Sequence, residues 1–199
     1  MKKIIMATNN KGKIEELSKM LDGFEVLSQK EAGIDINPEE NGNTFLENAI
    51  IKAEAIRDMV KDAYILAEDS GICIEALEGY PGVMTKRAAL EELGENISNE
   101  ERNLYYIKKL GNNTNRKVVW ETAICLIEPN GNKKEFIGQI EGVIPLSPMG
   151  AGGFGFDPIF YIEQEGKTLG QMSFEEKEKY SARKRAVAKL INYLKEANK

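Results

Sequence analysis

The sequence predicts an α/β protein on the basis of two observations. Short apolar runs that are typical of strands alternate with segments whose apolar residues recur at helical spacing. Further along, 118–127 and 135–144 flank Pro129-Asn130-Gly131-Asn132, which predicts an antiparallel hairpin. A chain of 199 residues can bury roughly 70% of its unfolded surface, and no segment has the composition of a long linker. We therefore predict a single domain over residues 1–199, in which the hairpin is a candidate second lobe.

The N-terminal part of the chain predicts a strand, a turn and a helix in succession. Lys2–Ala7 is predicted as a buried strand, and the polar turn Thr8–Lys13 leads into a helix that ends at Gly23. Phe24–Leu27 is a second strand candidate. The acidic stretch Asn37–Asn43 is predicted as a loop because of its Pro, Asn and Gly content.

The next segment places acidic residues at the end of a predicted strand. Thr44 and Glu47 form a capping box that opens a helix. Tyr64–Ala67 then predicts a third strand that ends at Glu68-Asp69-Ser70-Gly71, and Ile72–Ala76 predicts a further strand. Two adjacent carboxylates are therefore expected where a strand ends.

The C-terminal half contains two further capping boxes. Ser98 with Glu101 opens one helix, and Ser173 with Glu176 opens the last helical region. Gly150–Gly155 is too rich in glycine for regular structure. Pro158–Tyr161 is predicted as a short strand, and residues 84–96 have no clear pattern. The residues expected to be buried in these helices are Leu104, Ile107 and Leu110 in the first and Ala186, Val187, Leu190 and Leu194 in the last.

The charge and the cysteines narrow the class of protein. The formal net charge is −5 with acids and bases interspersed, so the chain lacks the basic stripe of a sequence-independent nucleic-acid binder. The apolar run after Lys3 is too short for a signal peptide or a membrane span. Cys73 and Cys125 each lie in an apolar run, where a reduced thiol is expected. We predict a cytoplasmic protein without a nucleic-acid or membrane partner.

The sequence contains no histidine. This absence removes the usual general base, the usual zinc ligand and every Ser-His-Asp or Cys-His arrangement. In an enzyme of this composition, carboxylates must carry proton transfer and metal binding. Ligation by oxygen alone favours Mg²⁺ first, with Mn²⁺ as a substitute.

The turn Thr8–Lys13 has the outline of a phosphate site. The backbone N–H groups and the dipole of a helix N-terminus converge there with two lysines, Lys11 and Lys13. It is not a Walker A loop, because Ile14 stands where Ser or Thr would be. An ordinary Asn-capped helix with solvated lysines is the alternative interpretation.

A second candidate site is acidic. Glu68 and Asp69, together with Glu39 and Glu40, would repel one another unless a cation or a water network relieved the repulsion. The alternative is that Glu68 faces solvent while Asp69 forms an Asx-turn into Gly71.

A third candidate site lies in the Gly-rich segment. Its glycines allow the backbone to approach a planar ligand, and Phe154 or Phe156 offers a stacking face beside Asp157. Plain core phenylalanines in a surface loop are the alternative. Lys177 and Arg183 add cations near helix N-termini, which a solvated helix face explains equally well.

Together these motifs resemble the inosine triphosphate pyrophosphatases, also called HAM1-like or non-canonical purine NTP pyrophosphatases, over nearly the whole chain. Each motif alone is weak, but their order and spacing are specific. The matching marks are Ala7-Thr8-x-Asn10-x-x-Lys13, the Glu-rich loop before Thr44-Phe45, Asn48 with Lys52, Glu68-Asp69-Ser70-Gly71, Pro81-Gly82, Gly152-Gly153-Phe154-Gly155-Phe156-Asp157-Pro158 and Ser181-x-Arg183.

The resemblance implies an elongated mixed β-sheet with flanking helices, forming two lobes around a central nucleotide-binding cleft. It also implies a homodimer that hydrolyses inosine, xanthosine and related triphosphates with Mg²⁺. Asp69 is then the base and a metal ligand, Glu40 is the second metal ligand, and Glu68 lies in the outer coordination shell. The implied substrate contacts are Thr8, Asn9, Asn10, Lys11, Gly12, Lys13, Lys52 and Ser70 on the phosphate side, with Phe154, Gly155, Phe156, Asp157, Lys177 and Arg183 on the base side.

Two departures from the family pattern concern the substrate. Many relatives have Asp where Glu68 stands, which keeps the acid. The family pattern Ser-His-Arg has Ala182 here in place of the His, which is understood to help recognise the purine, so discrimination between bases is expected to be blunted. Two alternative functions remain open: a nucleotide-binding sensor without turnover, and a related triphosphatase for modified pyrimidine or methylated guanine nucleotides.

Overall fold

A computed structural model describes residues 2–85, 87–94, 96–153 and 155–197. The strands in this part of the chain are β1 (Lys2–Met6), β2 (Phe24–Ser28), β3 (Tyr64–Ile74), β4 (Lys117–Ile127), β5 (Lys133–Val143), β6 (Tyr161–Ile162) and β7 (Lys167–Thr168). Among the described residues they form one seven-stranded sheet in the order β2-β1-β3-β4-β5-β6-β7.

Helices connect these strands. They are α1 (Lys11–Met20), α2 (Phe45–Ala55), α3 (Ala88–Leu93), α4 (Asn99–Leu110), α5 (Phe174–Lys177) and α6 (Ala182–Glu196). Within the described ranges, none of them combines the length and the apolar character needed to cross a bilayer.

The sheet is mixed, as the family resemblance implies. β1 pairs in parallel with both β2 and β3, whereas β6 pairs antiparallel with β5 and β7. The parallel part is connected through α1 and α2, which is the usual connection between parallel strands. The predicted hairpin is present as β4 and β5, which are neighbours joined by a turn where the Glu128 N–H donates to the Asn132 carbonyl.

The chain divides into two compact units. The first contains Met1–Ser70, Thr122–Gly138 and Arg183–Lys199, and the second contains Gly71–Glu121 and Gln139–Ala182. The β4–β5 hairpin is therefore not a lobe by itself, because its tip belongs to the first unit and its remaining residues belong to the second.

The first unit has an apolar cluster on each face of its sheet. Successive strand residues point to opposite faces, and the burial follows this rule. Tyr64 and Leu66 of β3 pack with Leu17 of α1 and with α6, whereas Ile65 and Ala67 pack with α2. The final helix buries the four residues expected from its spacing, Ala186, Val187, Leu190 and Leu194.

The core of the second unit is built around aromatic rings. Tyr106 of α4 is fully buried and meets the Phe156 ring edge to face at 5.5 Å between centroids. Trp120 packs against Phe156 and Phe160. The unpatterned segment around residue 90 contributes the short helix α3, which buries Ala88 and Ala89.

The prediction of a strand end at Glu68 is wrong. Tyr64–Ile74 is one continuous strand of 11 residues, with Glu68 and Asp69 in its middle. Acids and a glycine are typical of turns, but charged residues are tolerated inside a buried strand when each has a partner. The partners of these two acids lie on helices that are distant in sequence, so no local pattern reveals the contacts.

Three smaller expectations also need correction. Pro158–Tyr161 is not a strand, because 157–159 form a 3₁₀ turn and only Tyr161 enters β6. Leu104 is 46% exposed, since α4 turns Asn103 and Tyr106 inward instead. Thr44 caps α2, but the Glu47 carboxylate accepts from the Asn43 N–H rather than closing a capping box on Thr44.

The buried Tyr106 hydroxyl gives a prediction about stability. It has no hydrogen-bond partner among the described residues, and an unsatisfied buried polar group costs about 1–3 kcal/mol. Tyr106→Phe should therefore raise the free energy of unfolding by about 1 kcal/mol in urea denaturation. The same change at Tyr80, whose hydroxyl is 2.8 Å from that of Tyr105, should lower it by a similar amount. A loss of stability in Tyr106→Phe would show that the hydroxyl is satisfied in solution.

Candidate active site

The candidate site is built on two consecutive acids of β3. Residues 68 and 69 continue the alternation of the strand, so their side chains leave on opposite faces of the sheet. Glu68 contacts α1 and α6, and Asp69 contacts α2. The mutual repulsion expected from their adjacency is therefore relieved by two separate sets of partners rather than by one shared cation.

Glu68 lies at the centre of a buried ionic cluster, and its side chain is 1% exposed. Lys13 Nζ lies 3.2 Å from Oε1, and Arg183 donates from Nε and Nη2 at 2.9 and 3.0 Å. Arg183 Nη1 donates to Glu16 of α1. Burial by itself would raise the pKa of Glu68, but Lys13 and Arg183 outweigh this effect and hold the pKa below its ordinary value.

On the other face, Asp69 shares a cation with Glu40. Lys52 Nζ lies 2.9 Å from Glu40 Oε2 and 3.2 Å from Asp69 Oδ1, and the Lys52 side chain is only 12% exposed. Asn48 Nδ2 donates to the other carboxylate oxygen of Asp69 at 3.2 Å. The structure thus brings together Glu40 and Asp69, the two carboxylates that the family resemblance predicts as metal ligands. The Lys52 ammonium lies between them.

Glu40 and Asp69 limit how many ligands the chain can offer to a metal ion at this position. Among the described residues, no group of three or more His, Cys, Asp or Glu side chains is arranged to hold a metal ion. A cation at this position would therefore take two carboxylate ligands from the chain. Mg²⁺ is commonly bound in this way, by one or two carboxylates together with substrate phosphates.

The predicted phosphate turn leads from β1 into α1. Asn10 is the N-cap, and its side chain accepts from the Lys13 N–H at 3.2 Å. The Asn10 N–H in turn donates to Thr8 Oγ1. Asn9, Lys11 and Gly12 are exposed, so the turn presents its first helical amides to solvent. The Asn10 cap is therefore present, and phosphate binding at this turn stays a prediction.

The Gly-rich segment lies in the second unit and holds a buried acid. Asp157 is 4% exposed, and Lys177 Nζ donates to its Oδ2 at 2.5 Å. Gly153 has φ +79°, and a Cβ there would lie 1.9 Å from Asp157 Oδ2. Only glycine fits at this position, for both backbone and steric reasons.

The remaining predicted residues fall into different environments. Phe156 is 6% exposed and its ring belongs to the core. Gly155 has φ +62°, and its carbonyl accepts from Asn103 Nδ2 at 2.9 Å. Ser70 is half-buried on β3. Phe154, the predicted stacking residue, lies outside the described residues.

Two residues of the site were missed by the sequence reasoning or given no role. Glu16 lies three positions after Lys13, a spacing that places both on one face of a helix, and this spacing was the available signal. Asn48 was noted only as part of a motif, since no local pattern predicts its contact with Asp69, 21 residues away.

Comparison with known proteins identifies the family of the chain. Residues 4–193 match the model of the Ham1 family. The chain belongs to the Ham1 family. It is 41% identical, over 98% of its length and 96% of the relative, to the dITP/XTP pyrophosphatase of Caldanaerobacter subterraneus subsp. tengcongensis.

Solved Ham1 structures have the same fold. The Staphylococcus aureus Ham1 protein superposes with a TM-score of 0.89 at 38% identity, with full coverage of both chains. A HAM1 protein from Coxiella burnetii gives a TM-score of 0.85 at 33% identity, covering 98% of this chain and 100% of that one. The α/β prediction and the resemblance to this family are both confirmed.

The Glu68 cluster predicts a contrast between two substitutions that each remove a partner of Arg183. Removing one partner of a buried ion pair costs about 3–5 kcal/mol, whereas a surface pair contributes at most about 1 kcal/mol. Glu68→Gln should lower the free energy of unfolding by about 3 kcal/mol. Glu16→Gln, at a side chain that is 38% exposed, should lower it by less than about 1 kcal/mol. Equal losses in chemical denaturation at neutral pH would contradict this description of the cluster.

Proposed function

We propose that the chain hydrolyses non-canonical purine nucleoside triphosphates, namely dITP, ITP and XTP, to the nucleoside monophosphate and pyrophosphate. The observation that carries the proposal is the convergence of Glu40, Asp69 and Lys52 on one partly buried position in a member of the Ham1 family. A relative that is 41% identical is named dITP/XTP pyrophosphatase, which supports the substrate class.

Mg²⁺ suits the donor set of this proposed site, and Mn²⁺ is a possible substitute. Glu40 and Asp69 offer hard oxygen ligands and already neutralise a cation together. When bound, Mg²⁺ would polarise phosphate oxygens and compensate the charge that develops during the reaction.

The residues of the chain then have distinct tasks in the proposed reaction. Asp69 accepts a proton from the water that attacks the α-phosphorus in line, because a chain without histidine has no stronger candidate base there. Lys52 exchanges its carboxylate partners for phosphate oxygens of the bound nucleotide. Pyrophosphate leaves with its charge compensated by cations.

The turn between β1 and α1 is the proposed cradle for the triphosphate. The first amides of α1 and the dipole of this 10-residue helix favour an anion at its N-terminus. Lys13 adds a charge-assisted donor. Thr8 and Asn10 fix the shape of the turn through the hydrogen bonds described above, and Asn9, Lys11 and Gly12 present its exposed edge.

The base side of the proposal depends on the sequence resemblance. It assigns stacking to Phe154, base contacts to Gly155, Phe156 and Asp157, and further contacts to Lys177 and Arg183. The buried Asp157–Lys177 pair supports a recognition role, since its partners are held in one orientation. A homodimer that acts in the cytoplasm on free nucleotides completes the proposal.

A substrate panel tests the proposed function directly. Phosphate release is measured with added inorganic pyrophosphatase for dITP, XTP, ATP, a modified pyrimidine triphosphate and a methylated guanine triphosphate, with Mg²⁺ and with a chelator. We expect turnover of dITP and XTP that requires Mg²⁺. Binding without turnover would identify a sensor, and preferential turnover of the pyrimidine or methylated guanine nucleotide would identify the related triphosphatase.

Asp69→Asn should reduce kcat for dITP by roughly 10²–10⁴-fold, the usual effect of losing a general base. The amide retains the size of the side chain, so a non-hydrolysable dITP analogue should still bind in titration calorimetry. A variant that retains more than about a tenth of the wild-type kcat would exclude Asp69 as the base.

Lys13→Ala should weaken triphosphate binding selectively. A charge-assisted hydrogen bond contributes about 1.5–3 kcal/mol, which corresponds to a roughly 10- to 150-fold loss of affinity. We expect this loss for α,β-methylene dITP and little change for dIMP, both measured by titration calorimetry. Lys19→Ala, the same change at an exposed position of α1, is the control and should affect neither ligand. Equal losses for triphosphate and monophosphate in Lys13→Ala would place the triphosphate elsewhere.

A further inference from the structure

Asn48 is a buried amide that joins two parts of the site. It lies in the first turns of α2 and is 1% exposed. Its Oδ1 accepts from the Gly42 N–H at 2.9 Å, and its Nδ2 donates to Asp69 Oδ2 at 3.2 Å. One side chain therefore connects the loop that carries Glu40 to the strand that carries Asp69.

The two partners select the same orientation of the amide. A carboxylate can only accept, and a backbone N–H can only donate. If the amide were rotated by half a turn, its oxygen would face the Asp69 carboxylate and its NH₂ group would face the Gly42 N–H. Both contacts would then be repulsive, so the orientation is fixed from both ends.

The loop approaches α2 too closely for a side chain at residue 42. A Cβ there would lie 2.7 Å from Glu47 Cβ and 2.8 Å from Asn48 Oδ1. Glycine permits this approach, and the approach is what allows the Gly42 N–H to reach Asn48. Because Glu40 is two residues from Gly42, this contact also limits where the Glu40 carboxylate can lie.

Lys52 also bridges Glu40 and Asp69, but its ion pairs must break in the proposed reaction. The ammonium must leave both carboxylates when a divalent cation and phosphates arrive. The two hydrogen bonds of Asn48 go to the Gly42 backbone and to the second oxygen of Asp69, and neither involves Lys52 or Glu40. Its bonds can therefore persist while the Lys52 bridge is exchanged.

We propose that Asn48 is a positioning residue that holds the Asp69 carboxylate and the Glu40 loop at the spacing required for one divalent cation. This inference rests on the proposed function of the site. Asn48 acts through its two partners and not on the nucleotide itself. Its loss should therefore affect metal affinity and kcat and leave nucleotide affinity nearly unchanged.

The principal test is Asn48→Leu, which keeps the branched shape but can neither donate nor accept. Partners that orient metal ligands typically contribute roughly 10- to 100-fold in metal affinity or activity. We expect a loss of this size in Mn²⁺ affinity, measured by the paramagnetic resonance signal of free Mn²⁺. At saturating Mg²⁺, kcat for dITP should fall while KM changes less than about threefold.

Ile56→Val is the matched control for stability. Ile56 is fully buried at the end of the same helix and packs in the cluster on the same face. The substitution lowers stability without touching Asn48, Gly42 or Asp69, so Mn²⁺ affinity and kcat should match the wild type below the melting temperature. A Mn²⁺ affinity in Asn48→Leu equal to that of Ile56→Val would overturn the proposal.

Gly42→Ala is a second variant that keeps the test decisive if Asn48→Leu does not fold. The added Cβ would clash with Glu47 Cβ and Asn48 Oδ1, so it should displace the Glu40 loop from Asn48 and weaken Mn²⁺ binding. Unchanged Mn²⁺ affinity in Gly42→Ala would count against the proposal. The proposed function fails separately, if the wild-type chain does not hydrolyse dITP or XTP at all.

Discussion

The site depends on one constraint, which is that β3 carries two consecutive carboxylates through the interior of the first unit. A buried carboxylate without partners costs several kcal/mol. Because Glu68 and Asp69 leave on opposite faces of the strand, no single cation can compensate both. Helices on both faces must therefore supply partners: α1 and α6 do so for Glu68, and α2 does so for Asp69.

On the Glu68 side, two cations from different helices compensate one carboxylate. Arg183 makes two of the bonds to Glu68 and is itself held by Glu16, whereas Lys13 makes one contact. If Lys13 turns toward a phosphate, Glu68 keeps its guanidinium partner and remains compensated. The same geometry restricts Arg183, whose three side-chain nitrogens all donate to carboxylates in this structure. These three bonds fix the orientation of the guanidinium, while Nη1 and Nη2 each keep one further N–H.

The sequence predicts local features better than contacts between distant elements. The β1–α1 turn, the cap at Asn10 and the core face of α6 follow from spacing and capping chemistry within a few residues. Glu68 and Asp69 were recognised as a site but assigned to a turn, because local signals treat acids and glycine as turn formers. What keeps them in a strand is Arg183, 115 residues from Glu68, and Lys52 and Asn48 on α2. No pattern within a short window contains that information.

Residue 182, which the resemblance links to recognition of the purine, lies in a packed apolar region. Ala182 is 4% exposed and belongs to the apolar cluster of the second unit, with Tyr180 packed against the same cluster. The resemblance has a His at this position, and an imidazole there would add volume and a polar ring to a packed apolar region, which typically costs about 1–3 kcal/mol. Ala182 therefore fits its apolar surroundings. Replacing Ala182 alone by His would disturb the core and would not by itself provide a contact to the base. Under the proposed function, recognition of the purine edge then falls to groups that the second unit already holds rigidly, the Asp157 carboxylate and the Lys177 ammonium beside Gly153.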